Sequence, residues 1–195
     1  MASHPPRIVE TKRVYTGWNS FDVLTVEAAD SDGSTRQLKR EVVDHGEAAA
    51  VLVVDRKRST ALLARQWRAG LLGRDVDPYL LEACAGLLDP GETPEIAARR
   101  EAEEELGIKI GALRSFGSVV PSAGTLTERV HLFIAELSGD EPRGSGGGNA
   151  HEGETIEVVE VPLAALFEMA RKGAIHDAKT LVLVQRLMLE DAGAV

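Results

Sequence analysis

The stretch from Gly86 to Ile108, Gly-Leu-Leu-Asp-Pro-Gly-Glu-Thr-Pro-Glu-Ile-Ala-Ala-Arg-Arg-Glu-Ala-Glu-Glu-Glu-Leu-Gly-Ile, leaves the backbone little choice. It predicts a loop followed by a helix. Thr93 is placed to cap the helix, Pro94 suits the first helical position where a missing N–H costs nothing, and Glu95 complements the helix dipole in the first turn. Gly107 supplies the stop. Between these signals the helical period sets Glu101 and Glu105 one turn apart on one face, with Glu104 beside them.

Like charges at this spacing destabilise an isolated helix, so the carboxylates need full solvation or a counter-charge. A solvated acidic face is the bland reading of such a run. The surrounding frame points elsewhere: Gly86, then Glu92, then Arg100-Glu101, a small apolar residue, Glu104-Glu105, and Gly107 followed by an aliphatic residue. A window fixed at this many residue types matches by chance about once in 10⁸. This frame resembles the Nudix box, the signature of the Nudix hydrolases. It departs at Ala102, where a larger aliphatic residue is usual; the position faces inward, which predicts a packing adjustment and unchanged chemistry.

A chain of 195 residues can bury a substantial core, and 44% hydrophobic with 27% charged residues describes an ordinary soluble protein. The net charge of -9 offers no basic stripe to a nucleic acid, and it requires that cations accompany an anionic substrate. Cys84 is the single cysteine, which excludes an internal disulfide and a multi-cysteine zinc site and makes a reducing cytoplasm the simplest setting. The N-terminal Met-Ala-Ser-His-Pro-Pro-Arg has no apolar run for a signal peptide, and no run of apolar residues reaches membrane-spanning length. The expectation is a soluble cytoplasmic protein with no membrane partner.

From Arg7 to Asp44 the pattern is that of an antiparallel unit of three strands with too few apolar residues to stand alone. Ala48 to Asp55 and Thr60 to Trp67 form a hairpin, apolar throughout its first strand. Its second strand ends in Arg65-Gln-Trp-Arg68, which serves either as a solvated edge or as a phosphate fork beside an aromatic plate. Tyr79 to Gly86 reads as one strand leading into the box; Glu82 is an acidic residue in an apolar run, which suggests that it faces the site, and Cys84 reads as a small buried hydrophobe. A strand over 115–120, a turn at Pro121-Ser-Ala-Gly124 and a strand over 129–137 follow. Residues 139–153, rich in glycine, predict a mobile loop that carries a carboxylate into a cleft, or else a plain linker. A strand resuming in the acidic stretch after it, then helices over 162–172 and 177–191, complete the chain.

Flanking pieces narrow the resemblance to the branch of the Nudix superfamily that cleaves nucleoside diphosphate sugars. They are Lys39-Arg-Glu-Val, Glu82-Ala-Cys-Ala-Gly-Leu-Leu-Asp, His131-Leu-Phe-Ile-Ala-Glu, the Gly146-Gly-Gly loop with Glu154-Thr-Ile-Glu-Val, and Ile175-His-Asp-Ala-Lys-Thr. Pro121-Ser-Ala-Gly124 stands where Ser-Pro-Gly is usual. The resemblance implies an α/β fold: an α/β/α sandwich with a mixed central sheet over residues 47–195, and an antiparallel N-terminal sheet over 1–46 that is exchanged in a homodimer. It implies Mg²⁺-dependent hydrolysis, with Mn²⁺ as a substitute, of GDP-mannose to GMP and mannose 1-phosphate, or of ADP-ribose to AMP and ribose 5-phosphate.

By the same resemblance Glu101, Glu105 and the Ala85 carbonyl are metal ligands, Glu104 participates, and Gly86, Glu92, Arg100 and Gly107 hold the box in shape. The general base lies in the acidic stretch containing Glu152, Glu154 and Glu157, with Glu154 first and also placed to touch metal. Trp18, Lys39, Arg40, Arg68, Glu128 and Lys179 are the substrate-binding candidates. An alternative of a different class is a non-catalytic domain that binds and senses a nucleotide; such domains usually lack the box carboxylates, which are all present here.

Overall fold

The central strand, Ala48–Asp55 (β4), is buried along its whole length, as an uninterrupted apolar run demands. In the computed structural model, which describes residues 4–149 and 153–194, the chain divides into two compact units. The first contains the described residues up to Gly46 together with Val120–Arg129; the second contains Glu47–Val119 and the described part of Val130–Val195.

In the first unit, β1 (Arg7–Thr16), β2 (Ser20–Ala29) and β3 (Thr35–Asp44) form an antiparallel sheet in that order. Leu24 faces Arg40 and Thr25 faces Lys39 across the β2–β3 ladder. Val120–Arg129 joins the end of β3, where the Val43 N–H donates to the Thr125 carbonyl at 2.8 Å and the Thr127 N–H donates to the Val43 carbonyl at 3.1 Å. β1 is exposed throughout, Ile8, Val14 and Tyr15 included.

In the second unit, β4 is flanked by β5 (Thr60–Trp67), β9 (Val130–Leu137) and two short strands, β6 (Tyr79–Glu82) and β7 (Cys84–Leu87). With β8 (Leu113–Val119) and β10 (Glu157–Pro162) the sheet runs β10-β5-β4-β9-β8, with β6 on β5 and β7 on β4. Among the described residues only the β4–β9 pair of this sheet is parallel, so the sheet is mixed. Alternate β4 residues feed two cores. Ala49, Val51 and Val53 pack on α1 (Pro94–Leu106), while Ala50, Leu52 and Val54 pack on α2 (Leu163–Arg171) and α3 (Ala178–Asp191). This is the expected α/β/α layering. On α1 the inward residues Ala97, Ala98 and Ala102 are fully buried, and their small size brings the helix axis close to the sheet.

Three expectations need correction. The run Tyr79 to Gly86 is two strands, because the chain leaves β5 at Glu82 and joins β4 at Cys84; at the step, the Ala83 N–H donates to Thr180 Oγ1 at 2.6 Å. The last strand begins only at Glu157, which leaves Glu154 in the preceding loop. The glycine-rich loop is held at its described residues: the amides of Gly144, Gly147 and Gly148 donate to carbonyls of Gly107, Glu105 and Glu104 at 2.6, 2.9 and 3.1 Å. These are carbonyls that the end of a helix leaves without intrahelical partners. Among the described residues no helix is long and apolar enough to cross a membrane.

Candidate active site

α1 begins where its sequence says it should: Thr93 Oγ1 accepts the Ile96 N–H at 3.4 Å, and Pro94 occupies the first turn. It ends at Gly107 in the left-handed region, φ 67°, with the Ile108 N–H returning to the Ala102 carbonyl at 3.1 Å. Between the caps, the close approach that the alanines permit carries Glu101 and Glu105 under the sheet, leaving them 8% and 1% exposed. Burial pushes the Glu101 carboxyl up to about 7 against the pull of Arg100, and the charges of Glu104 and Glu154 add to the rise. Burial likewise pushes Glu105 up to about 8, opposed by hydrogen bonds from the Cys84 thiol and the Ala85 N–H and reinforced by the charges of Glu101 and Glu154.

Arg100 ties the loop before the helix to the helix itself. Its Nε and Nη2 donate to the two Glu92 oxygens at 3.1 and 3.0 Å, and Nη2 also reaches the Leu87 carbonyl at 2.9 Å. Nη1 donates to Glu101 at 2.6 Å and Glu104 at 3.2 Å. The hydrogen bonds from Arg100 hold Glu92 below the usual carboxylate range. Gly86, on β7 opposite Ala49, lies so close to Glu101 that a Cβ there would enter the carboxylate.

Glu154 approaches from the glycine loop. The Asn149 N–H donates to its Oε2 at 3.0 Å, and its own N–H donates to the Asn149 carbonyl at 3.3 Å. Its Oε2 lies beside Gly148, whose amide bonds the Glu104 carbonyl, and its charge adds to the rise at Glu101 and Glu105. Glu157 is on β10, paired with Arg65 at 3.0 Å, and Glu152 lies outside the described residues.

A second cluster adjoins the first. Glu82, buried on β6, accepts from Arg68 Nε and Nη2 at 2.7 and 2.8 Å and from Lys179 Nζ. Lys179, in the first turn of α3, also donates to Asp177 Oδ1 at 2.9 Å, and Asp177 caps the helix at the Thr180 N–H, 2.9 Å. Burial works against both charges, yet Arg68 and Lys179 draw Glu82 below its ordinary value, and Glu82 and Asp177 raise Lys179 above its own. The charge of Glu105 reaches Arg68, so the clusters share one electrostatic field.

Trp18, Lys39, Arg40 and Glu128 belong to the other unit. Trp18 is 75% exposed in the β1–β2 turn, Lys39 and Arg40 are exposed on β3, and Glu128 pairs with His45 at 3.4 Å. Ala85, Gly86, Glu92, Arg100, Glu101, Glu104, Glu105, Gly107 and Glu154 are therefore brought together in the second unit, with Arg68 and Lys179 beside them. Sequence reasoning missed three contributors: Cys84, whose thiol faces Glu105; Asn149, whose amide holds Glu154; and Asp177, which fixes Lys179. Only Asp177 had a readable signal, an N-cap residue ahead of an apolar period.

The carboxylate oxygens of Glu101, Glu104 and Glu105 are donors that suit a hard divalent cation, and the Cys84 thiol is engaged in a hydrogen bond to Glu105. Burial that raises Glu101 and Glu105 is reversed when a cation shares the site. The missing side chain at Gly86 leaves room for the Glu101 carboxylate itself, which fills that space. Among the described residues no three His, Cys, Asp or Glu side chains are grouped so as to hold a metal ion, and each carboxylate has a protein donor: Arg100 for Glu101 and Glu104, the Ala85 N–H at 3.2 Å for Glu105, and Asn149 for Glu154.

Residues 44–184 match the family model described as NUDIX domain. The chain is 43% identical over 167 residues to a GDP-mannose pyrophosphatase of Cronobacter sakazakii, covering 85% of this chain and 86% of the relative. It is 40% identical over 181 residues to one of Klebsiella pneumoniae, covering 92% and 90%, and 37% identical over 183 residues to one of Escherichia coli O157:H7, covering 93% and 94%. A solved structure titled as that of an ADP compounds hydrolase superposes with a TM-score of 0.72 over 100% of both chains at 23% identity, a likeness of fold.

Proposed function

We propose, from the premise that this chain belongs to the NUDIX family, that it hydrolyses the pyrophosphate bond of a nucleoside diphosphate sugar, GDP-mannose, to GMP and mannose 1-phosphate. The observation that carries this reading is the burial of Glu101 and Glu105 one helical turn apart beside Ala85, a concentration of negative charge that a protein tolerates where a cation is to be held. The names of the relatives, at 37–43% identity, support the substrate.

Nudix hydrolases generally need a divalent metal. We take it to be Mg²⁺, which Glu101, Glu105 and the Ala85 carbonyl would hold with Glu104 and Glu154 participating. When bound, it supplies charge neutralisation at the phosphates and acidifies water. The residues of the chain do the rest. Glu154 accepts a proton from the attacking water as the new P–O bond forms and the bridging P–O bond breaks, the bridge oxygen leaving with its electron pair on the departing phosphate. Arg100, by clamping Glu92 and the Leu87 carbonyl, keeps the loop from Gly86 fixed against α1. Arg68 retains a partly exposed side chain for a phosphate while Glu82 aims it, and Lys179 serves the sugar end.

We assign residues 1–46 to a dimerisation sheet and 47–195 to the hydrolase domain. The exposure of β1, with Ile8, Val14, Tyr15 and Trp18 open to solvent, supports exchange of this sheet in a homodimer, where Trp18, Lys39 and Arg40 act on the partner's substrate. Chromatographic separation of products from a panel of nucleotide sugars with Mg²⁺ tests the reading. GDP-mannose hydrolysed well ahead of ADP-ribose supports it; equal rates defeat the narrow substrate, and no release of nucleoside monophosphate from any compound defeats the activity.

A further inference from the structure

The glycine run between β9 and β10 is fitted to the C-terminal turn of α1 atom by atom. Gly147 and Gly148 donate to the carbonyls of Glu105 and Glu104, residues whose side chains line the candidate site, and the Ile156 N–H donates back to the Gly147 carbonyl at 3.1 Å. Ile156 is itself 8% exposed and belongs to the α1-side core. Neither contact face admits a side chain. A Cβ on Gly146 would lie 2.5 Å from the Glu105 carbonyl oxygen and 2.9 Å from the Leu106 carbonyl carbon, both backbone atoms. A Cβ on Gly148, where φ is +82°, would lie 2.7 Å from Glu154 Oε2 and 2.9 Å from its Cβ. The loop is thus threaded between the helix end on one side and Glu154 on the other. The next amide, that of Asn149, holds the Glu154 carboxylate.

We propose that Gly146–Gly148 is a positioning element: its backbone locks Glu154 to the same helical turn that carries Glu104 and Glu105, so that base and acidic cluster move as one piece. This rests on the reading of Glu154 as the general base. The glycines act through Glu154 and touch no substrate. A helix end offers carbonyls at fixed spacing, and a loop bonded to them inherits that rigidity, which a side chain on a free loop lacks.

The test combines amide exchange with a double-mutant cycle. In the wild-type protein without metal or substrate, the amides of Gly147 and Gly148 are expected to exchange at rates close to those of the last turn of α1; exchange as fast as an unstructured loop overturns the proposal. Gly148→Ala is expected to lower kcat about 10²-fold with KM within about twofold of wild type, the cost of a small misplacement of a reacting group. Placed on Glu154→Gln, it is expected to lower kcat no further, because the group it positions is already gone. Losses that multiply in the double variant, or an unchanged kcat in Gly148→Ala, overturn the proposal. A Glu154→Gln enzyme with wild-type kcat removes the base assignment and the proposal together, whereas an inactive Glu154→Gln beside a fully active Gly148→Ala sinks the positioning role alone. Should Gly148→Ala fail to fold, Gly146→Ala, which presses on the helix carbonyls, takes its place in the same cycle.

Discussion

Arg68 grips Glu82 from both sides of its guanidinium fork, Nε and Nη2 lying 2.7 and 2.8 Å from the two carboxylate oxygens, with the Glu82 side chain 2% exposed and that of Arg68 41%. Lys179 closes the arrangement from α3. Removing the shared anion leaves the half-exposed Arg68 beside Lys179, which keeps only Asp177, so Glu82→Ala is expected to cost about 3 kcal/mol, read from urea unfolding. The effect has a pH signature. Glu82 titrates below its ordinary value in the fold, so its stabilisation is complete above the unfolded carboxylate pKa and is lost as pH falls through the lowered value. The wild type should therefore show a steeper acid limb than Glu82→Ala; parallel limbs would mean that the ion cluster is not coupled to folding.

Glu101 and Glu105 work in the opposite direction. Their folded values of about 7 and about 8 lie above the ordinary carboxylate value of 4.5, so what they contribute to stability is present in full below the unfolded value and is lost as pH rises through 7 and 8. Metal-free protein should melt at lower temperature at about pH 8.5 than at about pH 6, and saturating Mg²⁺ should raise the melting temperature more at the higher pH, where protons no longer compete for the ligands. A Mg²⁺ shift independent of pH would place the cation elsewhere.

Glu105→Gln separates stability from catalysis. Glutamine keeps the shape and still accepts from the Ala85 N–H, but it removes a buried charge that burial disfavours. The variant is expected to be at least as stable as the wild type at about pH 8 without metal, and to lose about 10³-fold or more in kcat. Retained hydrolysis in a folded Glu105→Gln protein would put the catalytic centre away from this helix, whereas nucleotide binding without hydrolysis in both proteins would favour a nucleotide-binding module.

How much of this was legible beforehand follows from which forces leave a mark on residue identity. The ends of α1 were readable because Thr93, Pro94 and Gly107 are chosen for backbone geometry, and the apolar runs of β4 and β5 announced the sheet. Spacing alone set Glu101 and Glu105 on one face. Much of what holds that turn was hidden: the Ala85 amide donates to the Glu105 carboxylate, and the Gly147 and Gly148 amides donate to the Glu105 and Glu104 carbonyls, all through backbone, which every residue carries, so nothing in the sequence marks them. The step from β6 to β7 was hidden for a related reason, since a strand that changes partner at Ala83 keeps the same apolar character on both sides. The three-stranded sheet was visible in its alternation, but its need for something to pack on was visible only as a shortage of apolar residues.

Gly86 offers the most discriminating substitution. Its backbone φ is not in the left-handed region, so alanine there costs nothing in backbone strain, and on β7 it replaces a residue that weakens a strand. The obstacle is the tip of the Glu101 side chain, which a new methyl would have to displace from its place beside Arg100. A flexible side chain yields where backbone would not, so Gly86→Ala is expected to change unfolding stability by less than about 1 kcal/mol. The displaced carboxylate should nevertheless lower the apparent affinity for Mg²⁺ about tenfold or more, as disturbing the surroundings of a ligand commonly does. Gly111→Ala, with open space around its Cβ, is the control and should leave both quantities unchanged. Titrating Mg²⁺ into each protein and following the melting temperature distinguishes the cases: unaltered affinity together with a large loss of stability would mean that Gly86 serves the packing of β7 and not the placing of the Glu101 carboxylate.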